Sequence, residues 1–512
     1  MAAEHEWWRT VETERGRVRG VPAPVAEGDA DAPPVAAFRG IPYAASPVGA
    51  LRFAPPRPHE GWAGVRDAAR PGPSVPQGPS RLERVMGTRV PDWAEDGCLT
   101  LNIWSPQGPS DAASGAGRPV LVWFHGGGFS SGSGGWDWYD GAHLAARGDL
   151  VVVTANYRVG PLGYLCLPEA GVANLGLQDQ AAVLRWVHTN IAAFGGDPAC
   201  VTVGGQSAGA YSALALAVAP ETRALVRRVI AQSGPWGLPP QAPDAAAENT
   251  AAFLDLLGLP GKAVGSGHEE GVLRGLRALP AERLLAAYAR LSEDRARPGR
   301  LSPPMYPVRG GALLPDAPQR AAAEGALGGT GLLIGTVRDE MTAFLAFDER
   351  VRAFTRDDVL RIMCEDACGG DPDAAACAYD DLARLRPDAS PAALLTEVAT
   401  GRQFREGATR IAGYRAAQGT PAYVYRFDRA PDGDDGSLGA THCAELPFLF
   451  GTFDAFAGSP MLGRAGAEAR RLARAFGGAL AAFAATGTPN GPGLAHWRPY
   501  LDGPAPEVMY FG

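Results

Sequence analysis

The chain has 512 residues, of which 46% are hydrophobic and 20% are charged, a composition typical of a globular protein. The 47 basic against 55 acidic residues give a net charge of −8 without a basic block, which argues against nucleic-acid binding. The acidic start has no apolar signal core, and no apolar run is long enough to span a membrane. We therefore predict a cytoplasmic protein without a membrane segment.

The predicted elements alternate along the chain between apolar strands and helices. Strand patterns occupy 119–124, 150–157, 201–204, 227–234, 331–336 and 422–428. Helix patterns occupy 174–194, with Asn174 as the N-cap, the segment after 207, and 464–486. Continuous apolar strands between helices indicate an α/β fold with a mainly parallel sheet covered on both faces. We predict one domain over 1–512, with irregular insertions at 237–330 and 345–415 that cover the edge of the sheet.

The pattern G-x-S-x-G, typical of a nucleophilic serine on a strand-to-helix turn, occurs twice. Ser207 lies between the strand pattern at 201–204 and a helix-forming run, with glycines on both sides. Ser130 follows a strand pattern but runs into SGSGGWDWYDG, which is not a helix-forming sequence. The context therefore favours Ser207 as the nucleophile.

Three further motifs fit acyl-transfer chemistry. HGGGF at 125–129 follows a strand, and such a glycine run can point backbone N–H groups at a developing oxyanion. Asp339 and Glu340 both follow the strand pattern at 331–336, and position alone does not choose between them. His442 is placed late in the chain in a glycine-bounded loop, so the order of serine, acid and histidine matches an α/β-hydrolase.

Seven cysteines are present, and only C-x3-C-x8-C at 364–377 forms a cluster. The cluster has no nearby histidine and lacks the paired C-x2-C spacing of zinc sites. We predict free or buried thiols, with one disulfide as the alternative for an exported protein, and neither a metal nor a cofactor.

With these motifs the sequence resembles the type-B carboxylesterase family, which includes bacterial p-nitrobenzyl-esterase-like enzymes, liver carboxylesterases and cholinesterases. The resemblance extends over almost the whole chain. It is carried by FRGIPYAASPVGALRFAPP at 38–56, EDGCLTLNIWSP at 95–106, VWFHGGGFSSG at 122–132, NYRVGPLGYL at 156–165, 174–209 as a block, GTVRDE at 335–340, THCAELPFLFG at 441–451 and TGTPN at 486–490.

The resemblance implies an α/β-hydrolase fold and a role for each matching residue. Ser207 would be the nucleophile, His442 the general base and Glu340 the orienting acid. The N–H groups of Gly127, Gly128 and Ala208 would form the oxyanion hole. Ser233 and Glu445 match a polar network of the family that supports the histidine loop. We expect Gln206, beside the nucleophile, to be a third supporting residue.

Departures from the family pattern bear on the substrate. The residue before the nucleophile is usually Glu, and Gln206 removes a carboxylate that would attract a cationic leaving group. The tryptophan that cholinesterases carry upstream is missing near 86–88, so choline esters are not expected. The partner of Cys98 in many relatives is also missing, since the matching stretch 72–77 reads GPSVPQ.

We therefore predict a serine carboxylesterase for small, neutral and fairly hydrophobic esters, with Trp236 and Phe344 as pocket walls. We predict a monomer or weak homo-oligomer. One alternative is a hydrolase or acyltransferase for a larger natural-product ester, a lactone or a carbamate. The other is a non-catalytic binding protein of the same fold.

Overall fold

The structure is a computed structural model of the 512-residue chain. It describes residues 10–25, 33–89, 92–107, 117–261, 264–265, 267–297, 302–434, 436–501 and 507–512.

The described strands fall into a small sheet and a large one. In chain order they are β1 (Thr10–Thr13), β2 (Gly16–Arg19), β3 (Val21–Ala23), β4 (Val35–Pro42), β5 (Val65–Asp67), β6 (Thr100–Pro106), β7 (Arg118–Phe124), β8 (Val151–Ala155), β9 (Gly196–Gln206), β10 (Arg228–Gln232), β11 (Gly331–Val337), β12 (Ala422–Phe427) and β13 (Met509–Phe511).

The large sheet has the strand order β13-β12-β11-β10-β9-β7-β8-β6-β4-β3, and β1, β2 and β5 form the small one. In the part of this sheet order that runs from β13 to β8, which includes β7, every neighbouring pair is parallel. On the other side, β8 pairs antiparallel with β6, β6 with β4, and β4 with β3. The predicted parallel sheet is thus correct for the centre and one side. The antiparallel edge is formed by β3, β4 and β6, which all lie within the first 106 residues.

The helices connect and cover these strands. They are α1 (Glu83–Met86), α2 (Ala142–Gly148), α3 (Gly160–Tyr164), α4 (Leu175–Asn190), α5 (Ala208–Val218), α6 (Pro243–Leu256), α7 (Glu269–Ala278), α8 (Ala281–Arg295), α9 (Pro318–Ala323), α10 (Thr342–Leu345), α11 (Glu349–Arg352), α12 (Arg356–Asp366), α13 (Pro372–Leu385), α14 (Pro391–Thr400), α15 (Glu406–Ala417), α16 (Leu446–Phe450) and α17 (Ala467–Thr486).

The two predicted insertions consist mainly of helices. Helices α6 to α9 lie in the chain between β10 and β11, and α10 to α15 lie between β11 and β12. Asn174 occupies the N-cap position of α4, as predicted, but its side chain makes no capping hydrogen bond. Its side-chain amide instead bonds both backbone groups of Val308, at 2.7 Å each, and so fixes the segment after α8 to the start of α4.

Residues of the central strands contribute alternately to cores on the two faces of the sheet. In β7, Val120 and Val122 pack in one cluster, whereas Leu121 and Trp123 pack in the other. This two-sided burial explains why the central strands read as continuous apolar runs. Among the helices of the described ranges, none combines the length and the apolar character needed to cross a bilayer.

Candidate active site

Ser207 lies on a strained turn between β9 and α5. Its backbone has φ 57° and ψ −121°, a conformation that side chains rarely adopt. The turn requires small neighbours, because a Cβ on Gly205 would overlap the backbone of Gly209, and one on Gly209 would overlap the carbonyl of Phe124. The sequence folds this way because only glycine lets the strand and the helix approach so closely.

Ser130 has none of these features. It lies in the turn after β7, where its hydroxyl donates to the carbonyl of Gly127 at 3.2 Å. Of the two matching serines, only Ser207 joins a strand to a helix.

His442 and Glu340 form a fully buried pair at the same edge of the sheet. The Nδ1 of His442 lies 2.5 Å from Oε2 of Glu340, and both side chains are 0% exposed. The other carboxylate oxygen accepts from the backbone N–H of Val337 at 3.1 Å, which fixes the orientation of the acid. Asp339 instead accepts from the backbone N–H of Ala440 and from Arg338, and so connects β11 to the histidine loop.

The second imidazole nitrogen of His442 contacts Gln206. The amide nitrogen of Gln206 lies 3.1 Å from Nε2, and its side chain is buried. With Nδ1–H donating to Glu340, Nε2 is the acceptor of this hydrogen bond. Among the described residues, no hydrogen bond joins the hydroxyl of Ser207 to His442. Catalytic hydrogen bonds are often long without substrate.

Three backbone N–H groups beside Ser207 have no acceptor within the described part of the chain. They belong to Gly127, Gly128 and Ala208, which line one cavity together with Ser207. Gly127 and Gly128 have φ of 115° and 59°, and a Cβ on Gly127 would overlap the carbonyl of Ser131. Backbone N–H donors grouped beside a nucleophile can stabilise a negative oxygen.

A second buried carboxyl group, that of Glu445, follows His442 by three residues in the chain. The hydroxyl of Ser233, whose φ is 49°, donates to Glu445 at 3.1 Å, and both residues are 0% exposed. Burial, and then the nearby charge of Glu340, raises the pKa of Glu445 to about 8. The group is therefore mostly protonated at neutral pH.

The cavity wall is largely apolar. Phe344 and Phe404 both line it, and their ring centroids lie 5.3 Å and 5.1 Å from that of His442. Trp236, the other predicted wall, lies outside the described lining and is 5% exposed. It stacks on Tyr211 and is covered by α15, where a Cβ on Gly407 would overlap it.

Two lining residues were not singled out from the sequence. Phe404 lies in a short π-helix (Gly401–Arg405) between α14 and α15, and such bulges occur often at functional sites. Arg81 precedes α1 and lies close to Gly128. Neither has a local pattern that would mark it, because both reach the cavity from segments far away in the chain.

Comparison with known proteins finds similarity to one family over nearly the whole chain. Residues 8–511 match the profile of the carboxylesterase family. The chain is 37% identical to phenmedipham hydrolase of Pseudarthrobacter oxydans, covering 92% of this chain and 91% of that protein. It is 38% identical to para-nitrobenzyl esterase of Bacillus subtilis strain 168, over 90% of this chain and 88% of that protein.

Solved structures give the same result. A structure of a PNB esterase superposes with a TM-score of 0.82 at 33% identity, covering 99% of this chain and 96% of the other. The predicted α/β-hydrolase fold is thereby confirmed.

Proposed function

Since the chain belongs to the carboxylesterase family and is a serine carboxylesterase that acts on esters, we propose that Ser207, His442 and Glu340 are its catalytic triad. The observation that carries this assignment is the buried hydrogen bond between His442 and Glu340, at the sheet edge where Ser207 occupies its strained turn. Glu340 holds Nδ1 protonated, so the lone pair that serves as the base lies on Nε2, on the side of the ring away from the acid.

The reaction proceeds in two halves. His442 takes the proton of the Ser207 hydroxyl as its oxygen attacks the ester carbonyl, and then protonates the departing alcohol. Water activated by the same imidazole releases the acid from the acyl-enzyme. The N–H groups of Gly127, Gly128 and Ala208 stabilise the tetrahedral oxyanion, and loss of one such donor typically costs about 3 kcal/mol.

Gln206 adds one step to this scheme. Because its amide donates to Nε2 of His442, the lone pair is occupied before substrate binds. The amide must therefore turn away, or Ser207 must displace it, before proton transfer begins. Gln206 acts as a positioning residue for the base.

The substrate follows from the wall of the cavity. Its apolar lining, including Phe344 and Phe404, supports neutral and fairly hydrophobic esters. We also propose that the insertions at 237–330 and 345–415 cover the site, since Leu238, Pro303 and Phe404 contribute to its wall. The alternative of a larger natural-product ester, lactone or carbamate uses the same triad.

The acid assignment can be tested with a matched pair of variants. Glu340→Gln should lower kcat on the order of 10³- to 10⁴-fold, because the amide cannot hold the correct tautomer or stabilise the imidazolium. Asp339→Asn removes a neighbouring carboxylate that contacts backbone rather than His442 and should change kcat by less than about tenfold. The reverse ranking would contradict the assignment of Glu340.

A panel of esters separates the two substrate classes. We expect a burst of p-nitrophenol from short neutral p-nitrophenyl esters, followed by slower turnover of the acyl-enzyme. Turnover of lactones or carbamates with no burst from any neutral p-nitrophenyl ester would favour the alternative.

We further predict a cytoplasmic location and a monomer or weak homo-oligomer. All seven cysteines, which lie within the described ranges, are free thiols, as is usual in a reducing compartment.

A further inference from the structure

A second groove lies between α2, α16 and α17, and it shares no described lining residue with the catalytic cavity. Its volume is about 710 Å³, which is within the range of small-molecule sites. Along α17 its lining runs from Arg471 to Ala485, a length of about 21 Å at roughly 1.5 Å per residue. The groove is therefore long enough for an extended small molecule.

The walls of this groove are mostly apolar. Leu449 and Leu494 line it together with several alanines and glycines. Gly477 and Gly478 let α17 approach both neighbours, since a Cβ on Gly477 would lie 3.1 Å from the carbonyl oxygen of Leu449. A Cβ on Gly478 would lie 3.2 Å from Cδ2 of Leu494. Such walls favour the burial of an alkyl chain.

Two arginines give the groove a positive end. Arg471 and Arg474 are exposed, line the groove and are three residues apart on α17, so their side chains are neighbours on one face of the helix. No side chain in the described lining is acidic, and no described residue forms an ion pair or a hydrogen bond with either guanidinium. His143 and Arg147 of α2 also line the groove, but both interact with other residues of the protein.

The two halves of the groove match the two halves of an alkyl carboxylate. A guanidinium offers a planar fork of N–H donors that can bind a carboxylate through two parallel hydrogen bonds. The chain as a whole has a net charge of −8, so this positive end is not part of a generally basic surface. Hydrolysis of an ester also releases a carboxylate, so an esterase meets ligands of this class during turnover.

We propose that the groove between α2 and α17 is a binding site for an alkyl carboxylate. The carboxylate lies on Arg471 and Arg474, and the alkyl chain extends along α17 toward Ala485. The site is separate from the triad, so it does not depend on the assignment of Ser207.

Three small ions test which features of the ligand the groove recognises. Isothermal titration calorimetry of the full chain is performed with decanoate, with acetate and with decyltrimethylammonium. Acetate has the charge without the chain, and decyltrimethylammonium has the chain with the opposite charge. Both should bind at least about tenfold more weakly than decanoate, because each lacks one of the two interactions. Equal affinity for decanoate and decyltrimethylammonium would contradict a role of the arginines.

Two groove variants and one control locate the site. Arg471→Gln combined with Arg474→Gln should raise the Kd for decanoate at least about tenfold, through loss of charge-assisted hydrogen bonds. Ala482→Phe fills the groove while both arginines stay, and should weaken binding to a similar extent. The control Arg470→Gln should change Kd by less than about twofold, because the Arg470 guanidinium lies outside the lining, 5.6 Å from the ring centroid of Phe453.

Inhibition of p-nitrophenyl acetate hydrolysis separates this groove from the catalytic cavity. Decanoate in the catalytic cavity inhibits competitively, and its inhibition constant should be the same in the wild type and in all variants. The rate without decanoate also shows that each variant is folded. Weaker calorimetric binding in both groove variants, with an unchanged inhibition constant, supports the proposal. No binding to the wild type, no loss in the double arginine variant, or an equal loss in Arg470→Gln would overturn the site, and full affinity in Ala482→Phe would overturn the placement of the chain.

Discussion

Replacing Gln206 with Glu should change the pH dependence of catalysis. The amide nitrogen of Gln206 lies 3.1 Å from Nε2 of His442, so Gln206→Glu puts a carboxylate oxygen in contact with the base. A negative charge there stabilises the protonated imidazolium. Since only the neutral imidazole can accept the proton of Ser207, the variant must reach a higher pH before it becomes active.

The magnitude follows from the distance. Two unit charges 3.1 Å apart attract by about 5 kcal/mol at an effective dielectric constant near 20. Gln206 is 1% exposed, so desolvation of the new carboxylate offsets most of this attraction. We expect a net effect of about 1.4 kcal/mol, which moves the acid limb of the profile upward by about one pH unit.

The assay is kcat/KM against pH for a neutral p-nitrophenyl ester, which reports groups of the free enzyme. Gln206→Met, similar in size and uncharged, is the control and should keep the acid limb of the wild type within about 0.3 unit of pH. An unchanged acid limb in Gln206→Glu, or an equal shift in both variants, would refute the proposed contact between position 206 and the base.

Two further predictions concern stability. Gly209→Ala should destabilise the fold by about 3 kcal/mol or more, because the new Cβ overlaps the carbonyl of Phe124 in β7. A Cβ added at the control position Gly413 in α15 would have no neighbouring atom within 4 Å, so Gly413→Ala should be neutral or stabilising. Chemical denaturation compares the two variants, and equal free energies of unfolding would contradict the close approach of strand and helix at Ser207. Because the pKa of Glu445 is raised to about 8, its contribution to stability is full below the unfolded pKa near 4.3 and is lost as the pH rises through 8. The Tm of the wild type minus that of Glu445→Gln should therefore fall between pH 5 and pH 8, and a constant difference would contradict a raised pKa.

The nucleophile turn could be predicted from sequence because its causes are local. A strand, two glycines and a helix within a dozen residues impose the geometry of Ser207, and parallel strands bring their following loops to one edge. The choice of Glu340 over Asp339 needed the family resemblance, since both follow the same strand.

Contacts between distant segments could not be predicted in this way. Asn174 has the residue type of an N-cap, yet its amide bonds Val308, 134 residues away. Phe404 enters the cavity from the second insertion and Arg81 from the segment before α1, and the paths of both segments depend on packing. Trp236 lies against α15 and outside the described lining. Residue type and spacing contain no information on such long-range placement.

The central claim is that Ser207 forms the acyl-enzyme. Its most direct test is the mass of the protein quenched during turnover of a p-nitrophenyl ester, followed by peptide mapping, for the wild type, Ser207→Ala and Ser130→Ala. We expect one acyl group on the peptide that contains Ser207 in the wild type and in Ser130→Ala, and none in Ser207→Ala. An acyl adduct retained in Ser207→Ala, or mapped to Ser130, would contradict it.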